Sequence, residues 1–447
     1  MAEDSGRGVD SGLLDDLVAR GLVHDTTDRE RLADRLAEGA MTLYAGFDPT
    51  ADSLHVGNMV GLMLLRRFQD AGHRPIVLAG GATGMIGDPS GKSDERSLQD
   101  DDVLAANLAG IVPQLRQFLD FEREGNPAKL LDNRAWTVGV PYLVFLRDVG
   151  KYITVNQMMA KDSIKSRLEG SDGISYTEFS YMLLQAHDFA WLHENEGCEL
   201  QTGGSDQWGN ITAGTDLIRK RSGGHVHALT HPLLLKPDGT KYGKTAGGET
   251  MWLSADKMSP YRFYQAWLQV EDSEIERLLL QLTLLPVERI NEIVAEHKEA
   301  PHARAAQRIL AAELTSLVHG PDALDAAAAA TAVVFGGGAA SELDRATMHA
   351  LCGEVPTTDL PLDALVTDPT DASSNAAAVL ASAGIVGSNG EATRLIKQNG
   401  VSINDQKVTV GEVITTDRLL HERFLFVRKG KRNVHLIRFG ENPEETS

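Results

Sequence analysis

His55-Val56-Gly57-Asn58 and Lys241-Tyr242-Gly243-Lys244-Thr245 hold residue types suited to handling phosphate. The first cluster follows a strand-like run, 42–47, and the polar segment Asp48-Pro49-Thr50, and it precedes a helical stretch at 59–68. That order puts His55 and Asn58 where the free N–H groups of a helix start meet anions, while Gly57 lets the backbone approach a nucleotide closely. The second cluster lies in a Gly-containing loop after an extended run at 232–235 and brings two cations, Lys241 and Lys244, with the Thr245 hydroxyl beside them. Together they could stabilise a polyphosphate whose charge grows as pyrophosphate leaves, which activation of a carboxylate by ATP requires. Alone, each also fits a plainer origin, an ordinary helix start or a solvated lysine loop.

These residues need a scaffold. Strand-like 42–47, helical 59–71, strand-like 75–79, helical 102–121 and strand-like 128–131 predict an α/β chain, a Rossmann-like doubly wound parallel sheet. Ligands of such sheets bind beyond the carboxyl ends of the strands, so segments 48–58 and 80–88, each following a strand, should share that edge. Ahead of the sheet lie a Gly/Ser/Asp-rich start and an amphipathic helix around 13–22. Ser259-Pro260 reads as a helix N-cap and first helical position, after which helices continue to about 330. Gly/Ala-rich 335–340 and Pro/Asp/Ser/Thr-rich 359–374 bracket a linker. Beyond 375 come two short helices and a turn into a hairpin. The expected divisions are 1–232, 233–259, 260–335, 336–374 and 375–447.

At 447 residues the chain exceeds one ordinary core. A formal net charge of -20 argues against indiscriminate nucleic-acid binding, yet 391–440 holds ten basic residues against five acidic ones, a basic end that suits a selective RNA binder. No apolar run approaches the roughly 20 residues of a membrane helix, and the polar start has no signal-peptide form, so the expectation is a cytoplasmic protein without membrane contact. Cys198 and Cys352 show no CxxC or His-flanked pattern, and His225, His227 and His231 lack a completing Cys or carboxylate, so no protein-bound metal is expected. Gly87-Asp88-Pro89-Ser90-Gly91-Lys92-Ser93 has three residues between its glycines where a P-loop needs four.

The stretches YAGFDPTADSLHVGN, GGATGMIGDPSG, SYMLLQAHD, GGSDQWGN and KYGKT, in this order, resemble the bacterial tyrosyl-tRNA synthetases, class I aminoacyl-tRNA synthetases whose HIGH and KMSKS signatures match the first and last. The family often has His at the last position of the first signature; Asn58 keeps a donor and loses any positive charge. Lys257-Met258-Ser259 copies part of the second signature but is better explained as the next helix's start. EATRLIKQNGVSIN, with Arg394 and Lys397, is similar to the small α+β RNA-binding module at the C-terminus of these synthetases, first known from a ribosomal protein. The helical 260–335 would be the anticodon-side domain.

The resemblance implies site roles. Tyr44 and Asp188 would contact the phenol oxygen of L-tyrosine, and Tyr181, Gln185 and Asp88 its ammonium group, with Thr83 at the border. Tyr181, Gln185 and Asp188 stand at i, i+4 and i+7, one helix face. Gln207, Gly204 and Asp206 would hold the amino-acid carboxyl region and the ATP ribose. Gly46, Asp48, Thr50 and Gly57 would border the adenylate, and Lys92 with Arg96 would form a second cationic pair for pyrophosphate. Asn133 belongs to the substrate surroundings, whereas Trp136 reads as packing. The implied partners are tRNA(Tyr), tyrosine and ATP carrying Mg2+ as its substrate complex, in a homodimer. Rival readings are a tryptophanyl-tRNA synthetase, disfavoured by Tyr44 with Asp188, a small-molecule nucleotidyltransferase, which would not need the C-terminal module, and a catalytically silent RNA-binding protein, which would have shed pocket groups.

Overall fold

The computed structural model describes residues 12–90, 100–161, 164–165, 173–240, 242, 250–366, 370–430 and 433–440. Contacts divide the chain into two compact units, one of 1–258 with 270–318 and one of 259–269 with 319–447. The first is built on β1 (Asp25–Thr26), β2 (Thr42–Phe47), β3 (Arg74–Ala79), β4 (Lys129–Asp132), β5 (Cys198–Gly204) and β6 (His227–His231), in the order β1-β6-β5-β2-β3-β4. β2 to β6 run parallel, and the short edge strand β1 is antiparallel to β6. The strand order reverses at β2, which pairs with β3 on one side and β5 on the other. A doubly wound sheet opens its ligand crevice at such a reversal. β6 ends at His231, before Pro232, which has no N–H to give a ladder, and 232–235 continues beyond the sheet.

Both faces of this sheet are covered, as alternation along the strands requires. Tyr44, Ile76 and Leu78 join Met182, Ala186 and Phe189 of the helix Tyr176–Glu196 in one core. Ser175 Oγ caps that helix by accepting from the Glu178 N–H at 3.3 Å, and Gly197, at φ 62°, ends it in the left-handed conformation. The helix Met59–Asp70, buried along most of its length, packs on β2, β3 and β5. Helices Ile275–Leu282 and Val287–Glu299 also belong to this unit. Buried Arg67 donates to the Thr283 carbonyl, and buried Arg20 donates to those of Leu280 and Leu285 at 3.4 and 3.0 Å. The grouping therefore cuts through the 260–335 span expected as one helical domain, because an apolar helix periodicity announces a buried face without naming its partner.

The second unit holds the helix Pro260–Leu268, whose cap Ser259 Oγ accepts from the Arg262 N–H at 3.1 Å, and a sheet of β7 (Thr357–Leu360), β8 (Val401–Ile403), β9 (Gln406–Lys407), β10 (Phe424–Lys429) and β11 (Asn433–Phe439). Its order is β7-β11-β10-β8-β9, parallel between β7 and β11 and antiparallel elsewhere. Leu425, Val427, Ile437 and Phe439 pack with Val379, Leu380 and Ile396 on one face. Phe424, Phe426 and Leu436 pack with Val333, Met348 and Leu351 on the other. The stretch 336–374, expected as a linker, thus supplies the helix Arg345–Leu351 and the edge strand β7. Its turn-forming residues mark joints between ordered elements.

Candidate active site

At the carboxyl ends of β2 and β5 lies a cavity of about 380 Å³. Tyr44, Gly46, Asp48 and Thr50 enter it from β2 and the turn beyond; His55, Gly57 and Asn58 come from the following helix start, and Asp88 from the segment after β3. The helix Tyr176–Glu196 presents Tyr181, Gln185 and Asp188, and β5 with its exit presents Gly204, Asp206 and Gln207. The structure thereby gathers the expected substrate and nucleotide residues that lie within the described chain. Lys92, Arg96, Lys241, Lys244 and Thr245 lie outside the described residues.

Asp188, 2% exposed, marks one end. Its Oδ1 accepts from Trp136 Nε1 at 2.8 Å and its Oδ2 from Asn133 Nδ2 at 2.9 Å. Burial raises its carboxyl to about 7, against the pull of those two donors and with help from the charges of Asp48 and Asp132. The Tyr44 hydroxyl is buried and has no hydrogen-bond partner among the described residues. Burial, followed by the Asp188 charge, holds the Tyr44 phenol well above its usual 10. Gln201 Oε1 and Thr202 Oγ1, on the pocket wall, are likewise buried without a partner. Orphaned polar atoms are rare in native interiors, and their gathering on one cavity points to a polar ligand.

Asp48 and Asp88 mark the other end. Asp48 accepts from Thr83 Oγ1 at 2.8 Å and from the Tyr181 hydroxyl at 2.9 Å. Burial, then the charges of Asp48 and Asp88, keep the Tyr181 phenol well above its usual value, so it stays a donor. Gly80 permits this approach: a Cβ there would collide with the Asp48 carboxylate and the Thr83 hydroxyl. Asp88 Oδ1 accepts from the Ser90 N–H at 2.9 Å and Oδ2 from Gln207 Nε2 at 2.6 Å. Asn133 ties the two ends together, donating to Thr83 Oγ1 at 3.0 Å as well as to Asp188, while its own Oδ1 accepts from the Ala82 N–H at 2.7 Å.

The first signature opens a short 3-10 turn, Val56–Asn58, that runs into the helix Met59–Asp70. Asn58 Oδ1 accepts from the His55 N–H at 3.0 Å, so this side chain closes the helix start through its oxygen and retains Nδ2 for donation. Val56 N–H donates to Met251 and Leu253 N–H to Leu54, both at 2.9 Å. The chain after the second signature is thereby held against the first. Within the second signature Tyr242 is buried, and its N–H donates to Leu234 at 2.9 Å.

Arg394 and Lys397 lie in the second unit, exposed on the helix Asn389–Lys397, apart from the pocket residues in the chain's division. Several cations counted in 391–440 are engaged within that unit. Arg418 pairs with Glu412 at 2.9 Å, Arg438 with Asp359 at 2.5 Å, and Arg428 donates to the carbonyls of Val333 and Val334 at 2.5 and 2.9 Å. The charge offered outward is smaller than the count.

Sequence reasoning undervalued Trp136, which reads as packing yet donates to Asp188 while stacking on Trp191 at 4.0 Å. It passed over Gln201 and Thr202. Their signal was available: two uncharged polar residues in a strand of a sheet buried on both faces must have a partner or face a cavity. His231, weighed only as a metal ligand, borders the same cavity, and burial lowers its pKa.

Residues 36–336 match the family described as tRNA synthetases class I (W and Y), and 353–437 match the tyrosine–tRNA ligase SYY-like C-terminal domain. The chain is 49% identical over 427 residues to a tyrosine–tRNA ligase of Opitutus terrae, covering 95% of this chain and 99% of that one. It is 48% identical over 434 residues to a tyrosine–tRNA ligase of Bacillus caldotenax, covering 96% and 99%. A C-terminally truncated mitochondrial tyrosyl-tRNA synthetase of Aspergillus nidulans superposes with a TM-score of 0.65 at 33% identity, over 73% of this chain and 93% of that one. A doubly wound sheet with a polar crevice at its switch point, both family matches and near-complete coverage of these relatives agree: the chain belongs to the tyrosine–tRNA ligase family of class I tRNA synthetases.

Proposed function

We infer that this protein activates tyrosine with ATP, giving tyrosyl-adenylate and pyrophosphate, and then transfers tyrosine to the 3'-terminal adenosine of tRNA(Tyr). The observation that carries the substrate assignment is the pair at one end of the cavity, a buried Tyr44 hydroxyl without a partner beside a buried Asp188 carboxylate held by two donors. A phenol O–H placed there satisfies Tyr44 and bonds Asp188. Phenylalanine would leave the Tyr44 hydroxyl unpaired and would add no donor to Asp188, an argument that tyrosyl-tRNA synthetases themselves usually illustrate. At the other end Asp88, with Tyr181 and Gln185, receives the ammonium group, and the substrate carboxylate then faces the nucleotide between Asp48 and Gln207.

In the first step that carboxylate attacks the α-phosphorus of ATP and pyrophosphate departs. The protein's part is alignment and charge stabilisation. His55 and Asn58 donate to phosphate oxygens, Thr50 lies beside them, Gly46 and Gly57 let the nucleotide lie against backbone, and Asp206 accepts from the ribose hydroxyls with Gly204 alongside. Lys241, Lys244, Lys92 and Arg96 neutralise the leaving pyrophosphate and the Thr245 hydroxyl donates to it; the pinning of Tyr242, within the second signature, and of Met251, beyond it, supports this role. Mg2+ arrives on ATP, held mainly by phosphates and water. In the second step a ribose hydroxyl of the tRNA attacks the activated carbonyl and releases AMP.

Arg394 and Lys397 contact tRNA from the 375–447 module, and helices of the 260–335 span, divided between the two units, serve the anticodon side. The protein works as a homodimer in the cytoplasm. Support for the dimer is a set of large apolar side chains left exposed in one stretch, Val138, Tyr142, Leu143, Val155 and Tyr176. No helix among the described residues is long and apolar enough to cross a membrane. The test is exchange of pyrophosphate into ATP with each of the twenty amino acids, without tRNA. Exchange with tyrosine alone is expected; exchange with none, from folded protein with Mg2+-ATP, would transfer the reading to a silent RNA-binding protein.

A further inference from the structure

Behind Asp88 runs a relay of two side-chain amides, half-buried Gln207 and buried Asn210, that ends on a lysine. Gln207 Nε2 donates to Asp88 at 2.6 Å, Gln207 Oε1 accepts from Asn210 Nδ2 at 3.0 Å, and Asn210 Oδ1 accepts from Lys161 Nζ. Asn210 is 2% exposed and also reaches Ser90 Oγ at 3.5 Å. The Lys161 stem lies over the bare face of Gly209, where a Cβ would come within 3.1 Å of its Cε and 3.2 Å of its Cγ. An amide can exchange its oxygen and nitrogen by a half-turn, so a chain of amides is oriented only by its ends. An ammonium donates and never accepts; an ionised carboxylate accepts and never donates. Between those ends one orientation satisfies every link, and it is the one observed. Burial lowers the Lys161 ammonium to about 8 despite the charge of Asp88, which leaves it mostly protonated at pH 7.

We propose that Lys161 is a positioning residue of the tyrosine site: as a donor-only anchor it orients Asn210 and Gln207 so that an N–H, rather than a carbonyl oxygen, faces Asp88 and fixes its carboxylate for the substrate ammonium group. This rests on the reading that Asp88 receives that group. Without the anchor, Asp88 is the one relay end left to orient the amides and the Asn210 oxygen loses its donor, so the turned-over arrangement, with the Gln207 oxygen against the Asp88 oxygen, gains population. The contact with the ammonium group is shared by the bound substrate and the transition state, so its loss appears in KM rather than kcat.

The test uses pyrophosphate exchange by the full-length protein without tRNA. Lys161→Met should raise the tyrosine KM about tenfold, the scale of one hydrogen bond to a charged group, with kcat and the ATP KM changed less than about twofold. Asn210→Asp, which keeps the lysine's partner and volume but cannot donate to Gln207, should give the same rise and guards against a misfolded methionine variant. In an Asn210→Ala background, Lys161→Met should change the tyrosine KM by less than about twofold, as members of one linear relay do. An unchanged KM in Lys161→Met or Asn210→Asp, or multiplicative effects in the double variant, would overturn the proposal. Asp88→Asn separates the parent reading: an unchanged tyrosine KM there removes the ammonium assignment itself, whereas a raised one beside a silent Lys161→Met overturns only the lysine's role.

Discussion

Asp188 and Asp88 are carboxylates of one cavity held in different ways. Asp188 is almost wholly buried and takes one donor on each oxygen from side chains fixed in the core, Asn133 and Trp136. Asp88 is half-buried on a turn, steadied by its own loop's Ser90 N–H and by a Gln207 amide supported from further back. The enclosed carboxylate sits where charge is expensive and suits a neutral hydroxyl; the more open one suits a cation. Asn133 bonds into both neighbourhoods, to Asp188 and to the Thr83 that holds Asp48, so the spacing between the ends is set by one side chain.

The largest effect should come from neither end. Lys244→Ala is expected to slow tyrosyl-adenylate formation by about 10²–10³, the scale of one lost transition-state contact, with tyrosine affinity nearly unchanged. Single-turnover rates alongside equilibrium tyrosine binding check this, and equal losses in both would contradict a transition-state role. Asp188→Asn comes next. It puts a donor where two donors already converge and should lower kcat/KM for tyrosine about 100-fold in pyrophosphate exchange, while exchange of ATP-binding parameters stays small.

A pH series sharpens the contrast. The Asp188 carboxyl, raised from its ordinary 3.8 to about 7, holds its proton through mildly acid pH and becomes the acceptor for a phenol only above that point. The tyrosine KM should therefore fall about tenfold from pH 6 to pH 8 and level off above it, a change that Asp188→Asn should flatten. A KM that rises over the same range would reverse the assignment of the carboxylate as acceptor. The smallest effect is that of Tyr44→Phe, about fivefold on the tyrosine KM, the worth of one neutral hydrogen bond. Steady-state exchange measures it, and a loss as large as that of Asp188→Asn would merge the two roles.

Three neighbouring strands of the first sheet, 42–47, 75–79 and 128–131, were legible in the chain; β1, β5 and β6 were not. Runs such as 42–47 combine apolar residues with a polar exit, and the helix face of Tyr181, Gln185 and Asp188 follows from spacing alone. Less legible was what each element packs against. Helices Ile275–Leu282 and Val287–Glu299 join the catalytic unit through carbonyls that Arg67 and Arg20 reach from far away in sequence, and no local pattern encodes such pairs. β7 is four residues of mixed polarity whose pairing with β11 spans about eighty residues of chain, so its stretch reads as a linker. In the site, residues that the family resemblance implies to touch the substrate were found, such as Asp88 and Tyr44. Those acting through another residue were not: Trp136 resembles packing until its N–H is seen on Asp188, and Lys161 belongs to none of the stretches singled out in the sequence, though its ammonium donates to Asn210.

The most direct measurement compares pyrophosphate exchange with tyrosine and with phenylalanine, at saturating Mg2+-ATP, in the wild type and in Asp188→Asn. The account predicts that the wild type strongly prefers tyrosine and that the variant loses most of this preference, chiefly through a poorer response to tyrosine. A preference that survives the substitution undiminished would contradict the claim that the buried end of the cavity reads the phenol hydroxyl.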